Sequence, residues 1–128
     1  MTVFVCVDDS YGLRFNGRRQ SKDRELIKDV LSSVQGTLYV EPYSLKLFAE
    51  GTAAVTDTVP SDGCFFAERP MAEHMDKIDK LVIYKWNRAY PADMYFDICP
   101  LEQGFRLVSK EDIPGYSHEK ITKEVYIK

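Results

Sequence analysis

The sequence predicts an α/β fold: one domain over residues 1–128, a three-layer sandwich around a mixed, mostly parallel central sheet that ends in an antiparallel C-terminal hairpin. Three observations predict it. The run Thr2–Val7 is apolar and rich in β-branched residues, and it stops at Asp8-Asp9, as a buried strand does. Leu26, Ile27, Val30, Leu31 and Val34 recur with helical spacing, while Lys22, Asp23, Glu25, Lys28 and Asp29 take the other face. Strand-like and helix-like runs then alternate until two strands close the chain with no helix between them. Alternation implies parallel crossovers, and the closing pair implies an antiparallel edge.

The elements follow in order. Residues 11–19 contain Gly12, Asn16 and Gly17 and read as a loop. A helix is expected over 21–34, the longest in the chain, because Ser21 or Asp23 can accept from the first free amides and Gly36 supplies a left-handed stop. Residues 37–41 form a short strand closed by Pro42, and 43–50 a short helix. A loop rich in Thr, Pro, Ser, Asp and Gly covers 51–63, with a strand at 53–55; Cys64–Ala67 is the next strand. Pro70 suits the first turn of a helix over 70–78, where its missing N–H is no loss. Residues 81–86 form a strand, 87–100 a long excursion holding two prolines, and 105–109 and Ile121–Ile127 the final strands. No repeat, low-complexity tract or linker interrupts this order.

Composition narrows the function classes. Hydrophobic residues at 45% and charged residues at 29% exclude a disordered chain, a coiled coil and collagen. No apolar run approaches the ~20 residues of a membrane span, and the N-terminal run meets acid too soon for a signal peptide, so a cytoplasmic protein is expected. Cys6, Cys64 and Cys99 are odd in number and widely spaced, unlike a disulfide framework or a zinc site, and Cys6 and Cys64, in apolar runs, read as core thiols. Two histidines, His74 and His118, are too few for a clustered metal centre, so no metal is expected. A net charge of −3 argues against a broad nucleic-acid surface.

Candidate ligand-binding residues gather near the first strand. Arg14, Arg18, Arg19, Lys22 and Arg24 surround one acid, Asp23, on a loop running into a helix start. Free amides and the helix dipole could hold an anion there, with Arg forks on its oxygens. The competing reading is solvated loop charge balanced by Asp8, Asp9 and Glu25. Tyr11 and Phe15 could stack on bases, or Phe15 could pin the loop to the core. Asp8 and Asp9 stand where open α/β sheets place their ligand crevice, and only one of two adjacent strand residues can face it. Trp86, the only tryptophan, could wall a planar ligand or fill the core. His74, beside Glu73 and Asp76, and His118, in a hairpin turn, are both expected to face solvent. Either histidine with Arg18 or Arg19 would supply a metal-independent ribonuclease with its acid–base and phosphate-clamp groups.

The opening run Val3-Phe4-Val5-Cys6-Val7-Asp8-Asp9-Ser10-Tyr11-Gly12, continuing through Asn16-Gly17-Arg18, resembles that of dihydrofolate reductases. Their first strand passes through Ala-Val-Asp into a Gly-Ile-Gly-like turn and an Asn-Gly segment. Ile78-Asp79-Lys80-Leu81-Val82-Ile83-Tyr84, then Ala89-Tyr90-Pro91-Ala92-Asp93-Met94-Tyr95-Phe96, is similar to the segment that ends in Asp-Thr-x-Phe-Pro in that family. The strands over 105–109 and 121–127 fall where the family closes its sheet. The matches are collinear and touch most of the chain.

The resemblance implies the same fold and, by its departures, a changed site. The family's Leu-Pro-Trp element is absent, and its pterin-binding carboxylate falls on Leu26; only a deletion in the loop would let Asp23 or Glu25 serve as the catalytic carboxylate. The Gly-Arg motif for NADPH falls near Glu41-Pro42, and the Gly-Gly pair on Ala67-Glu68. The pterin-linked Thr falls on Tyr84. The expectation is therefore a divergent member without a cofactor, which has lost NADPH-dependent reduction and binds a small anionic ligand or a protein partner through Asp8, Arg14, Arg18, Arg19 and Trp86. Two alternatives stand: an active NADPH-dependent reductase of a folate- or pterin-like substrate with a reorganised site, and an RNA-binding or RNA-processing protein using the arginine cluster.

Overall fold

A computed structural model describes residues 1–49 and 51–128. Its strands are β1 (Thr2–Val7), β2 (Gly12–Phe15), β3 (Arg18–Arg19), β4 (Leu38–Val40), β5 (Ala54–Val55), β6 (Cys64–Ala67), β7 (Lys80–Lys85), β8 (Met94–Tyr95), β9 (Arg106–Ile113) and β10 (Ile121–Ile127). The main sheet runs β5-β4-β6-β1-β7-β10-β9, and a small sheet runs β3-β2-β8. β1 lies at the centre, parallel to β6 from Thr2 opposite Cys64 and parallel to β7 from Thr2 opposite Lys80. β10 is antiparallel to both β7 and β9, which makes the expected hairpin at one edge. The fold is α/β, with a mixed and mostly parallel sheet.

Alternation along β1 builds two cores. Val3, Val5 and Val7 enter one, with Phe65, Leu81, Ile83, Met71, Ile78 and Phe96. Phe4 enters the other, with Phe66, Val82, Tyr84, Leu38 and Val40 and with Leu26 and Val30 of α1 (Arg24–Ser33). Each such side chain contributes roughly 1.5–3 kcal/mol when withdrawn from water, so the sheet is held from both faces.

The single α-helix among the described residues starts later than 21, because Asp23 takes the cap position. Its backbone is extended (φ −150°, ψ 129°) and its side chain accepts from the Glu25 amide at 2.9 Å. Residues 11–19 are not a loop but a hairpin. Asn16 and Gly17 both have positive φ (52° and 74°), the two-residue turn whose twist matches a strand pair, and Phe15 stands opposite Arg18.

Two expected helices are 3-10 segments, Pro42–Leu47 and Ala72–Lys77; the expected end of the first, Glu50, lies outside the described residues. The second begins beyond Pro70 because its cap comes from elsewhere: Asp97 Oδ1 accepts from the amides of Met71 (2.7 Å) and Ala72 (2.9 Å). The excursion over 87–100 contributes β8, which pairs with β2, and β9 runs past 109 to Ile113. Among the described residues no helix is long and apolar enough to cross a membrane, and the three cysteines are free.

Candidate functional site

The C-terminal ends of β1, β6 and β7 meet the β2–β3 hairpin and the start of α1 around a narrow cleft, where open α/β sheets present their ligand sites. Cys6, Leu13, Gln20, Leu26 and Phe66 line it, with Ser21 and Asp23 on one side and Arg19 and Glu68 on the other. Trp86 completes the wall. Side chains fill most of this space and leave room for about one water.

Glu68 follows β6 directly and is 8% exposed. Burying a carboxylate requires partners. Arg19 supplies a two-pronged contact, Nε to Oε2 at 2.8 Å and Nη2 to Oε1 at 2.9 Å, and Ser44 Oγ donates to Oε1 at 2.7 Å. Tyr43 fastens the same arginine. Its hydroxyl accepts from the Arg19 amide at 2.7 Å, and its ring lies under the guanidinia of Arg14 (4.3 Å) and Arg19 (4.5 Å). Nearby, burial first and then the Glu68 carboxylate push the Cys6 thiol well up, which makes it a poor nucleophile.

Asp23 anchors a different cluster. Its carboxylate accepts from the amides of Glu25, Tyr116, Ser117 and His118, from Ser117 Oγ, and from the His118 ring. Burial pushes this carboxyl up, but the Tyr116 amide, the His118 ring and the amides of Ser117 and Glu25 together outweigh it and hold the group below the usual carboxylate range. His118 is not at the solvent-facing surface of its turn: it is 5% exposed, with Nδ1 2.9 Å from Asp23 Oδ2. Trp86 stacks on its ring at 4.6 Å. Its far nitrogen, Nε2, meets Ser21 Oγ at 2.9 Å and Tyr90 Oη at 3.3 Å.

The residues singled out from sequence fall in different surroundings. Asp8 is buried, and its carboxylate is filled from within by the amides of Ser10, Gly12 and Tyr90 and by Gln20 Nε2. Burial raises it, yet these donors, Gly12 foremost, bring it below its ordinary value. Arg14 and Arg19 stack on Tyr43, and the Nε of Arg14 is buried without a partner, as is Oε1 of Gln20. Arg18 is exposed, Glu25 reaches Lys28 at 3.5 Å, and Trp86 is 4% exposed against His118. The arginine cluster is thus divided. Leu26 is buried, and Tyr84 donates to Asp29 at 2.6 Å, where Lys123 also binds at 2.8 Å. His74 is partly buried and reaches Glu73 at 3.3 Å.

Beside the cleft a second, open groove runs between α1, the Pro42–Leu47 segment and the turn at 116–117. Ile27, Leu31, Leu47 and Ala49 form an apolar floor, and Lys22, Arg24, Lys28 and Lys46 rim it. Arg24 is stacked on Tyr116 at 3.8 Å. The groove's one carboxylate, Asp23, already accepts internal donors, so the rim is electropositive.

Comparison with known proteins places the fold. No family model matches the chain, and no curated protein matches it in sequence. Among solved structures, a dihydrofolate reductase from Enterococcus faecalis, complexed with NADP(H) and RAB-propyl, is similar at a TM-score of 0.70 and 10% identity, over 99% of this chain and 95% of that one. The chain has a dihydrofolate reductase-like fold.

Proposed function

We propose that this reductase-like fold has lost NADPH-dependent reduction and serves as a binding protein for a small anionic ligand. The observation that carries the reading is the closure at the end of β6. Where the resembling family needs glycine for close approach of a dinucleotide, this chain has Glu68, with Arg19 and Ser44 fixed onto it. A pyrophosphate there would meet a carboxylate and would have to break a part-buried ion pair, a loss of about 1–3 kcal/mol. The position on which the resemblance puts the pterin carboxylate is Leu26, packed in the core. The ligand's place is the groove over Ile27 and Leu31, where Lys22, Arg24, Lys28 and Lys46 favour an anion with an apolar body.

The test is a calorimetric and thermal-shift series with NADPH, folates and nucleotides. NADPH should give neither heat nor stabilisation. An anionic ligand that fits should raise the melting point, since a ligand at ~100 times its Kd stabilises by ~2.7 kcal/mol, and Lys28→Glu should reduce that rise. NADPH binding at micromolar affinity or tighter would overturn the reading.

A further inference from the structure

We infer that Ser21, His118 and Asp23 form a nucleophilic centre that hydrolyses carboxylic esters with short acyl groups through an acyl-Ser21 intermediate. The inference is independent of whether NADPH or an anion binds. Its ground is the connected line of contacts from Asp23 Oδ2 to His118 Nδ1 (2.9 Å) and from His118 Nε2 to Ser21 Oγ (2.9 Å). That is the geometry in which a carboxylate fixes the tautomer of an imidazole whose other nitrogen takes a hydroxyl proton.

Local structure explains how the chain makes it. Asp23 is extended before α1, and residues two apart in extended backbone point the same way, so Ser21 and Asp23 can share one ring across Lys22. The ring arrives from the turn between β9 and β10, and Trp86 stacked on its face fixes its plane. Anchoring that turn to α1 does not need Ser21, because the amides of Tyr116, Ser117 and His118 already bind Asp23. Ser21 adds a hydroxyl on the cleft side, half-buried and lining the cleft. Tyr90 Oη, the second hydroxyl at Nε2, is the more distant. The cleft beside Ser21 has room for about one water, so lining side chains must part even for an acetyl group, and longer acyl groups are excluded.

The chemistry balances with water as the only co-reactant. Ser21 Oγ bonds to the acyl carbon while its proton passes to His118 Nε2. The bond from that carbon to the alkoxy oxygen then breaks, and the alcohol leaves with the proton from His118. Water next gives a proton to His118 and bonds to the acyl carbon, the bond to Ser21 Oγ breaks, and the proton returns to Ser21. The carboxylic acid departs. Ser21 and His118 are the catalytic residues, and Asp23 is a positioning residue.

The experiment treats the full chain with an alkyl fluorophosphonate, followed by intact mass and peptide mapping, and with 4-nitrophenyl acetate under steady-state conditions. One adduct on Ser21 is expected, absent in Ser21→Ala and retained in Ser32→Ala, whose serine is on the exposed face of α1. His118→Gln should slow labelling at least a hundredfold, the range of a lost general base. If that variant does not fold, Ser21→Ala alone decides the matter. Folded Asp23→Asn should lower kcat for the acetate ester with KM unchanged, a split that loss of a merely structural anchor would not give. An unlabelled wild-type chain, or equal labelling and turnover in Ser21→Ala, would overturn the inference.

Discussion

On one wall of the cleft Glu68 is gripped by Arg19 and Ser44; on the other, Asp23 is gripped by four backbone amides and the ring of His118. Both are buried carboxylates at the end of a structural element, and both satisfy the same requirement for internal donors. They differ in what lies at the far end of the contacts. Beyond Glu68 is a guanidinium stacked on Tyr43, permanently charged and with no proton to exchange. Beyond Asp23 is an imidazole with a hydroxyl at its second nitrogen, on the lining of the narrow cleft. The first arrangement fills a site, and the second leaves one able to move a proton. Burial and hydrogen bonding alone do not separate structural from chemical carboxylates; the terminal group does.

Substitutions can break or sharpen this contrast. Asp23→Ala should have the largest effect, about 3–5 kcal/mol of lost stability by urea denaturation, because it strands four amides and a buried ring. Glu68→Ala should cost less, about 1–3 kcal/mol, since Arg19 keeps its stack on Tyr43 and part of its contact with water. If Glu68→Ala proved the more damaging, the Glu68 wall would be the one that holds the cleft together.

Acid should reveal the same asymmetry. Asp23 is depressed in the folded state, so its contribution is fully present above its unfolded pKa and is lost as pH falls through the folded value. The stability gap between wild type and Asp23→Asn should therefore narrow steadily below about pH 4 in pH-resolved denaturation. Trp86→Phe, which shortens the stack on His118, should cost about 1–2 kcal/mol and lower Ser21 labelling modestly. Arg18→Ala should stay within about 0.5 kcal/mol of wild type in the same urea series, since its side chain is exposed and unpaired among the described residues.

Much of the framework is legible in the sequence because it rests on periodicity. Thr2–Val7, Cys64–Ala67 and Ile121–Ile127 emerge at their own boundaries, since apolar runs between turn residues mark buried strands whatever their partners. Where a neighbour decides, the sequence is silent. The cap on Met71 comes from Asp97, and nothing near Pro70 announces it. The Asn16-Gly17 turn did carry its own signal for a hairpin, which a loop reading overlooks. The site follows the same rule. Asp23 is visible as a helix cap, but its meeting with His118 depends on how the β9–β10 turn folds back on α1. Arg19 reads as a free cation because Glu68 is distant in the chain and adjacent only in space. Ser21, two residues before Asp23, is the local hint of the second cluster, and it is ambiguous while the ring between them is unknown.

The central place of β1 also sets the order in which the molecule can assemble. Its first residue pairs with Cys64 on one side and Lys80 on the other, so neither neighbour exists until synthesis has passed Cys64. Both are parallel pairings closed over long intervening segments, and the single described α-helix offers little local structure to shorten the search. Such topologies fold slowly, in milliseconds to seconds, because loop closure is paid before contacts form. During synthesis the apolar Thr2–Val7 segment therefore waits exposed, and that waiting strand is where chaperone engagement or misassembly would begin.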